Sequence, residues 1–343
     1  MNNCTTTNRL LFAKKKGLID NFNAETCALG FYNFNCFEIL GMPKLTICNP
    51  EKSIIQKAFK LNYLTFVDSN GIKKNIKKKF DKTFVNITKS RKETFFYIAA
   101  AFFITKRNGI ITITGDNKLG IDFYLKKISS LLNLNFFSKS HGKIIFLQKT
   151  KFIPNEIRTW KNFGNYTKIS SDFLTLPGCF SEKKIDEGSN LLAKNFSNKL
   201  FGRVADLGAG WGYLSAKALE DNNRINQISL IDSNLNALKC ARINVSNFKA
   251  KFYWTDIEEE NLKIKNFDHV IMNPPFHKGK KFIHSLGLVF LKTAKKILSK
   301  KGTLWMVHNK ELIYENSIND LFPNYKYIDI TKKYKIIKAI KSN

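Results

Sequence analysis

The carboxy-terminal half of the chain, from about Gly202 onward, alternates short β-rich runs with longer helical stretches. Such alternation is typical of a parallel sheet whose strands are joined by crossover helices. The predicted strands are residues 203–207, 227–232, 251–254, 269–272 and 303–308, and a closing hairpin is expected at 325–330 and 335–340. The predicted helices are residues 214–222, 234–246 and 282–299. The pattern therefore indicates an α/β, Rossmann-like domain with a mostly parallel sheet and a C-terminal antiparallel hairpin.

The amino-terminal half resembles a worn copy of the same unit. Segment 80–86, FDKTFVN, matches segment 267–273, FDHVIMN, and an apolar helix is predicted after both. Segment 109–113, GIITI, then matches segment 302–306, GTLWM, and the strand-like segment 143–147 falls near the last strand of the second copy. The chain is therefore expected to contain two tandem Rossmann-like domains.

The two copies set the expected domain boundaries at residues 1–150 and 175–343, with an aromatic and basic connection at 151–174. The first copy lacks the Asp-x-Gly-x-Gly-x-Gly motif that the second copy carries from Asp206. Its Asn86 is followed by Ile87-Thr88-Lys89, where the second copy has Pro-Pro-Phe. Similar short strings at 67–70 and at Asn49-Pro50 are interpreted as chance. The first domain is therefore expected to keep the fold and to have lost the chemistry.

The charge of the chain indicates which class of partner it binds. The sequence has 343 residues, a length that suits two domains, and its 57 Lys and Arg against 27 Asp and Glu give a formal charge of +30. That sign is expected of a protein that docks on a phosphate backbone. Two alternatives stay open, since the lysine excess can reflect drift in an AT-rich genome or attraction to an acidic membrane surface.

The cysteines and the amino terminus exclude several classes of protein. The six cysteines form no Cys-x-x-Cys pair and no histidine lies at finger-like spacing, so neither zinc nor a disulfide framework is indicated. Lys14-Lys15-Lys16 interrupts the start of the chain, where a signal peptide needs an apolar stretch. The longest apolar run, residues 95–104, is about half of a membrane span. We expect a cytoplasmic, soluble and metal-free protein that acts as a monomer.

The glycine loop of the second copy follows a predicted strand and precedes a predicted helix. Gly208, Gly210 and Gly212 recur at every second position around Ala209, and Asp206 stands at the end of the strand. A dinucleotide site instead uses Gly-x-Gly-x-x-Gly to hold a pyrophosphate. An acid at this loop suits a cationic, phosphate-free ligand, which points to S-adenosylmethionine. A plain strand-to-helix turn is the alternative.

Two further acids are expected at the tips of the next strands. Asp232, followed by Ser233, is placed to accept hydrogen bonds from the ribose hydroxyls of the cofactor. Asp256 can accept from the adenine amino group. Either acid can instead be an ordinary surface residue, and for Asp256 this alternative is stronger because Glu258-Glu259-Glu260 follows closely.

The most specific motif is Asn273-Pro274-Pro275-Phe276, directly after the fourth predicted strand. Two prolines fix φ and remove two backbone donors, so the loop presents carbonyls and the Asn273 side chain in a stiff arrangement. The Asn273 side-chain oxygen and the Pro274 carbonyl can accept both hydrogens of an exocyclic amine, and Phe276 can stack on the base that carries it. The motif predicts methylation of a planar amine. The role of the adjacent His277, in proton transfer or in packing, stays open.

These motifs together resemble the 16S rRNA guanine-N2 methyltransferases, a family with two tandem methyltransferase-like domains. The resemblance rests on segment 175–181, TLPGCFS, with Asp186, Gly188 and Ser189, on segment 206–212, and on segment 273–279, NPPFHKG. It implies that a guanine N2 in 16S rRNA, or in the small ribosomal subunit, is the acceptor. It also implies that the first domain is a degenerate copy that supports folding and RNA binding.

The chain departs from the family pattern at Ala209, where many members have Cys, and Trp211 is bulkier than usual. Two alternatives remain at this stage. The same chemistry can act on another acceptor, such as 23S rRNA guanine, adenine N6 or a protein glutamine. Alternatively, the chain can be a non-catalytic RNA-binding or ribosome-assembly protein.

Overall fold

The computed structural model describes residues 5–20, 23–33, 35–66, 79–258, 262–275, 280–312 and 314–342, although not the side chains of 280–285 and 315. The chain divides into two compact units, Met1–Asn165 and Tyr166–Asn343.

The first unit contains one mixed sheet and the helices around it. Its strands are Thr26–Leu29 (β1), Leu45–Cys48 (β2), Leu64–Phe66 (β3), Phe80–Asn86 (β4), Thr105–Asp116 (β5), Asn135–Lys139 (β6) and Gly142–Gln148 (β7). Its α-helices are Thr5–Lys15 (α1), Asn35–Leu40 (α2), Lys52–Lys60 (α3), Arg91–Ile104 (α4), Ile121–Ser129 (α5) and Asn155–Trp160 (α6).

The second unit repeats this plan after a small antiparallel ribbon, Thr167–Lys168 (β8) and Leu174–Thr175 (β9). Its other strands are Gly202–Leu207 (β10), Ile225–Asp232 (β11), Ala250–Trp254 (β12), Phe267–Met272 (β13), Leu298–Asn309 (β14), Asn324–Ile330 (β15) and Tyr334–Ile340 (β16). Its helices are Glu187–Phe196 (α7), Tyr213–Asp221 (α8), Leu235–Asn244 (α9), Lys280–Ile297 (α10) and Glu315–Leu321 (α11).

The two sheets have the same strand order. It is β3-β2-β1-β4-β5-β7-β6 in the first unit and β12-β11-β10-β13-β14-β16-β15 in the second. In both sheets the last two strands of this order pair antiparallel and the others pair parallel. The predicted fold class, two tandem Rossmann-like domains with a C-terminal antiparallel hairpin, is confirmed.

Helices cover both faces of the second sheet because consecutive residues of a strand point to opposite sides. Val204 of β10 is buried in one core with Leu192 of α7 and Leu214 of α8. Leu207 of the same strand is buried in another core with Leu291 of α10. Because strands β10 to β14 pair parallel, their carboxyl ends lie at the same edge of the sheet. The loops that leave this edge carry the predicted site residues.

Strand register makes the correspondence between the units exact to the residue. In the second unit Leu207 lies opposite Ile231 on one side and Met272 on the other. In the first unit Leu29 lies opposite Cys48 and Val85 in the same way. The residues that come directly after these paired positions are therefore equivalent: Gly30 and Gly208, Asn49 and Asp232, and Asn86 and Asn273.

The segment expected to connect the domains has structure of its own. Trp160, at the end of α6, is 3% exposed and lies 4.5 Å from Phe95 between ring centroids. A 3-10 turn, Lys161–Gly164, follows and belongs to the first unit. In the part of the chain that the structure describes, the helices are too short or too polar to span a bilayer.

Candidate active site

The glycine loop between β10 and α8 has the conformation that its sequence predicts. Gly208, Gly210 and Gly212 have φ of +71°, +56° and +90°, the left-handed region in which a side chain is strained. A β-carbon on Gly212 would lie 2.8 Å from Val245 Cγ2, so this glycine lets α8 pack closely. A β-carbon on Gly210 would meet no described atom within 4 Å. Gly210 therefore faces open space, whereas Gly212 serves packing.

The loop is also held to the neighbouring strand through its backbone. The amides of Gly208 and Ala209 both donate to the Ile231 carbonyl, at 2.9 and 3.1 Å. The Gly210 amide donates to Asp232 Oδ2 at 2.8 Å. The loop is therefore positioned by main-chain groups, and the Ala209 side chain is buried in the core that contains Val204.

Asp206 is fully buried beneath this loop. Its Oδ2 accepts a hydrogen bond from Ser215 Oγ at 2.7 Å, and its Oδ1 has no hydrogen-bond partner among the described residues. Burial raises the pKa of Asp206 to about 7, the Ser215 hydrogen bond opposes this, and the charge of Asp232 adds to it. An unsatisfied buried carboxylate oxygen is costly, and a positively charged group nearby would stabilise its ionised form.

Asp232, at the end of β11, lies beside the loop as predicted. Besides the Gly210 amide on Oδ2, its Oδ1 accepts from the Asn234 amide at 2.7 Å. Each carboxylate oxygen has two lone pairs, so Asp232 can hold the loop and still accept from a hydroxyl. The carbonyl of the next residue, Ser233, accepts from the Trp254 indole at 2.7 Å. Ser233 thus joins the ends of β11 and β12.

Asp256 lies in the loop after β12 and is half-buried. Its Oδ1 accepts from the Glu258 amide at 3.0 Å. The preceding residue, Thr255, donates its amide to the Asp232 carbonyl at 3.0 Å, which ties the two acidic strand ends together. The three acids predicted from the sequence therefore lie at or just beyond the carboxyl ends of three neighbouring strands, at one edge of the sheet.

Asn273 follows β13 at the same edge and has a defined orientation. Its Nδ2 donates to Asp186 Oδ1 at 2.9 Å and to Ser189 Oγ at 2.8 Å. The amide nitrogen is thereby used by the protein, and the side-chain oxygen is the group left to act as an acceptor. Pro274 is buried and Pro275 is exposed, whereas Phe276 and the predicted His277–Gly279 continuation lie outside the described residues.

Asp186, Ser189 and Ser215 also belong to this site, although the sequence motifs assign none of them a role there. Asp186 caps the amino end of α7 by accepting from the Ser189 amide at 2.8 Å, a signature that capping rules alone could have found. Its contact with Asn273 spans 87 residues of sequence and leaves no local pattern. Ser215, the partner of Asp206, likewise carries no motif.

Trp211 belongs to the packing around the loop. Its indole is 4% exposed, lies 5.3 Å from Phe173 between ring centroids, and donates to the Phe180 carbonyl at 2.9 Å. The unusual tryptophan therefore anchors the upstream segment that contains Phe180.

The equivalent edge of the first unit is filled by protein. Phe31, directly after Gly30, is 1% exposed, and its carbonyl accepts from Asn49 Nδ2 at 2.8 Å. Asn86 donates through Nδ2 to the Gly30 carbonyl at 3.4 Å. The counterparts of Asp232 and Asn273 thus bond to the unit's own backbone, in agreement with a degenerate first copy. Asn49 occupies the position of Asp232 and not that of Asn273, so the Asn49-Pro50 string is not the counterpart of the Asn-Pro-Pro motif. Segment 67–70 lies outside the described residues.

The described residues contain no cluster of metal-ligating side chains. Nowhere among those residues do three His, Cys, Asp or Glu side chains gather in a group that could hold a metal ion. The site consists of carboxylates, one amide side chain and main-chain groups.

Comparison with known proteins identifies relatives that match about three quarters of the chain. The model of the methyltransferase small domain family matches residues 170–338. The ribosomal RNA small subunit methyltransferase C of Buchnera aphidicola subsp. Acyrthosiphon pisum (strain APS) is 31% identical over 262 residues, covering 73% of this chain and 74% of the relative. The protein of the same name from Psychromonas ingrahamii is 28% identical, with 76% of each chain covered.

A solved structure has the same two-unit fold. The T. thermophilus 16S rRNA N2 G1207 methyltransferase, in complex with AdoMet and guanosine, superposes with a TM-score of 0.78 at 18% identity, covering 94% of this chain and 89% of that one. At this identity the likeness concerns the fold, and the sequence relatives carry the family assignment. The resemblance noted in segments 175–181, 206–212 and 273–279 is confirmed, and the chain belongs to the ribosomal RNA small subunit methyltransferase C family.

Proposed function

We propose that the protein transfers a methyl group from S-adenosylmethionine to the exocyclic N2 of a guanine in 16S rRNA. The observation that carries the proposal is the orientation of Asn273, whose nitrogen is bound by Asp186 and Ser189 while its oxygen is left for an amine. The T. thermophilus structural neighbour is named for N2 methylation of 16S rRNA and contains AdoMet and guanosine, which supports this choice of cofactor and base.

The residues at the strand ends fit this cofactor. The unsatisfied Asp206 Oδ1 suits a cation, and the open space at Gly210 admits a ligand against the loop backbone. The residues proposed to hold it are Asp206, Gly208, Ala209, Gly210, Gly212, Asp232, Ser233 and Asp256. Bound S-adenosylmethionine supplies an electrophilic methyl group on a sulfonium sulfur.

The chain's own residues prepare the amine. An exocyclic amine on guanine is conjugated with the ring, so its lone pair is a poor nucleophile. The Asn273 Oδ1 and the Pro274 carbonyl accept its two hydrogens, which turns the lone pair out of conjugation and fixes the direction of attack. Pro275 keeps the loop stiff, and Phe276 stacks on the base. The nitrogen loses a proton after transfer, for which a carbonyl or water is a sufficient acceptor.

The charge of the chain supports RNA as the binding partner. A formal charge of +30 favours the phosphate backbone of 16S rRNA or of the small ribosomal subunit. We propose that the protein acts as a cytoplasmic monomer without a metal and that the first unit, residues 1–150 in the sequence-based division, contributes RNA binding and structural support.

A matched pair of asparagine variants tests the role of the motif. Asn273→Ala should lower transfer of label from methyl-labelled cofactor to rRNA by about 10²–10³-fold, since it removes an acceptor aimed at the reacting group. Asn86→Ala changes the equivalent residue of the first unit and should leave transfer within about twofold of the unsubstituted protein. Cofactor binding measured by calorimetry should persist in both. Equal transfer by Asn273→Ala and the unsubstituted protein would contradict the proposal.

A further inference from the structure

The Asn273 side chain has an acceptor at one end and donors at the other, so its orientation decides whether it can bind the hydrogens of an amine. The two ends of the amide have nearly the same shape. If Nδ2 faced the guanine amine, two sets of donors would oppose each other and the Pro274 carbonyl alone would accept. The reaction proposed above therefore requires a device that keeps Oδ1 toward the substrate.

We infer that Asp186 and Ser189 are positioning residues that select this rotamer of Asn273; the inference rests on the proposed function. Asp186 offers only acceptor oxygens when ionised, so the end of the amide that faces it at 2.9 Å must be the nitrogen. Ser189 Oγ accepts the second hydrogen at 2.8 Å. A flipped amide would lose the bond to Asp186 and bring its oxygen against a carboxylate oxygen. Asp186 therefore sets the orientation, while Ser189, whose hydroxyl can donate or accept, holds the amide in place.

The two residues that bind the Asn273 amide lie at the amino end of α7. Asp186 Oδ1 also accepts from the Ser189 amide at 2.8 Å, so the capping bond fixes the oxygen that Asn273 meets. A β-carbon on Gly188 would lie 3.2 Å from Asp186 Oδ1 and 3.0 Å from Tyr334 Cε1. Glycine at position 188 therefore leaves room for Tyr334 to pack beside the carboxylate, which restricts the movement of Asp186.

The first unit offers an internal comparison. Asn86 occupies the position of Asn273, and its Nδ2 donates to the Gly30 carbonyl at 3.4 Å. There the amide nitrogen is bound weakly by backbone, and the two prolines are missing. Two short bonds to side chains thus accompany the asparagine of the unit that retains the complete motif.

An alternative hypothesis is that the bonds from Asn273 to Asp186 and Ser189 only stabilise the packing of α7 at the end of β13. The two readings differ in what they predict for turnover and for recognition of the amino group. If the bonds only fasten α7, their removal lowers stability and leaves kcat unchanged. If they orient Asn273, their removal lowers kcat while the cofactor affinity stays the same.

Two variants separate these readings. Asp186→Ser retains a good helix cap but withdraws the carboxylate from Asn273. Ser189→Ala removes one acceptor and leaves the Asp186 cap intact, so the test survives if Asp186→Ser does not fold. Ser90→Ala removes a comparable cap of α4 in the first unit, where Ser90 Oγ accepts from the Glu93 amide at 3.2 Å, and serves as the matched control.

We expect kcat to fall by about tenfold in Ser189→Ala and by about a hundredfold in Asp186→Ser, as for a reacting group that is slightly misplaced. The Kd for S-adenosylmethionine, measured by calorimetry, should stay within about twofold. Ser90→Ala should lower the thermal midpoint without changing kcat. Wild-type kcat in both site variants would overturn the inference.

A binding measurement supplies a readout that does not depend on turnover. Inosine lacks the 2-amino group of guanosine, so the ratio of their affinities, measured by titration in the presence of S-adenosylhomocysteine, reports recognition of N2. The ratio should favour guanosine in the unsubstituted protein and fall toward one in both variants, and an unchanged ratio would overturn the inference. If the unsubstituted protein transfers no methyl group to rRNA guanine, the proposed function fails instead.

Discussion

At the scale of single residues, the fold shifts the protonation equilibrium of the buried Asp206 carboxyl toward its neutral form. This carboxyl has a pKa of about 7, against an ordinary value of 3.8, because burial disfavours the charge. Between about pH 4 and about pH 7 the folded chain therefore keeps a proton that the unfolded chain has lost. The free energy of unfolding contains a contribution that is present in acid and is lost as the pH rises through about 7.

Asp206→Asn should remove this pH dependence. Without cofactor, the unfolding free energy of the unsubstituted protein should fall relative to that of Asp206→Asn between about pH 5 and about pH 8, in urea titrations at several pH values. Parallel pH profiles for the two proteins would show that Asp206 is already ionised at low pH. The same substitution should weaken S-adenosylmethionine binding at pH 8, since a cation loses its carboxylate partner.

The glycines of the loop provide a second prediction at this scale. Gly210→Ala and Gly212→Ala both force alanine into the left-handed region, at a cost of about 1–2 kcal/mol. Gly212→Ala adds a clash with Val245 and should lose distinctly more stability. Gly210→Ala points its methyl into open space and should mainly lose cofactor affinity. Comparing urea midpoints with calorimetric Kd values checks this division, which fails if both variants lose stability equally.

At the scale of elements, the sequence predicts a strand and the loop after it wherever the strand is apolar and the loop carries a glycine or proline motif. The predicted strand 203–207 is Gly202–Leu207 in the structure, and the predicted strand 269–272 is Phe267–Met272. The loops after them follow from glycine conformation and proline stiffness. The predicted hairpin at 325–330 and 335–340 is also present, with bounds that differ by one residue.

The elements that escaped prediction lack such a local signal. β1 and β2 of the first unit have four residues each, too few for a periodicity to stand out, and neither ends in a complete glycine motif. The bond from Asn273 to Asp186 depends on α7 meeting the end of β13, which is a tertiary event. Such contacts between distant segments are set by packing, which a single sequence does not reveal.

The edge hairpin of the second unit carries a prediction about charge. Lys326 lies directly opposite Lys338 on β15 and β16, and like charges at that position destabilise a sheet. Burial lowers the pKa of Lys338, with further contributions from Lys326 and Lys199. The arrangement is unfavourable for the free protein and suited to a phosphate backbone.

Lys326→Glu should therefore have opposite effects on stability and on RNA binding. Replacing the repulsive pair with an opposite-charge pair should raise the unfolding free energy by about 0.2–1 kcal/mol. Affinity for an rRNA fragment should fall, and the dependence of log Kd on log salt should become shallower. Lys118→Glu, at an exposed site in the first unit, makes the same charge change and should not gain stability. A stability loss in Lys326→Glu would contradict this account.

At the scale of the whole molecule, one strand order is present twice, and we expect the chemistry in the second unit alone. Asn49 and Phe31 close the first unit at the edge where the second unit has Asp232 and an open glycine loop. Calorimetric titration with S-adenosylmethionine should therefore give one site per chain, and Asp232→Ala should abolish it whereas Asn86→Ala should not. A stoichiometry of two would mean that the first unit binds cofactor as well.

The most direct test of the central claim is a comparison of modified nucleosides in rRNA. Mass spectrometry of nucleosides from purified 16S rRNA would compare a strain that lacks the gene with the same strain carrying either the intact gene or its Asn273→Ala version. The account predicts that N2-methylguanosine in 16S rRNA decreases when the gene is absent, returns with the intact gene and does not return with Asn273→Ala. An unchanged N2-methylguanosine content, or a change confined to 23S rRNA or to adenine N6, would contradict it.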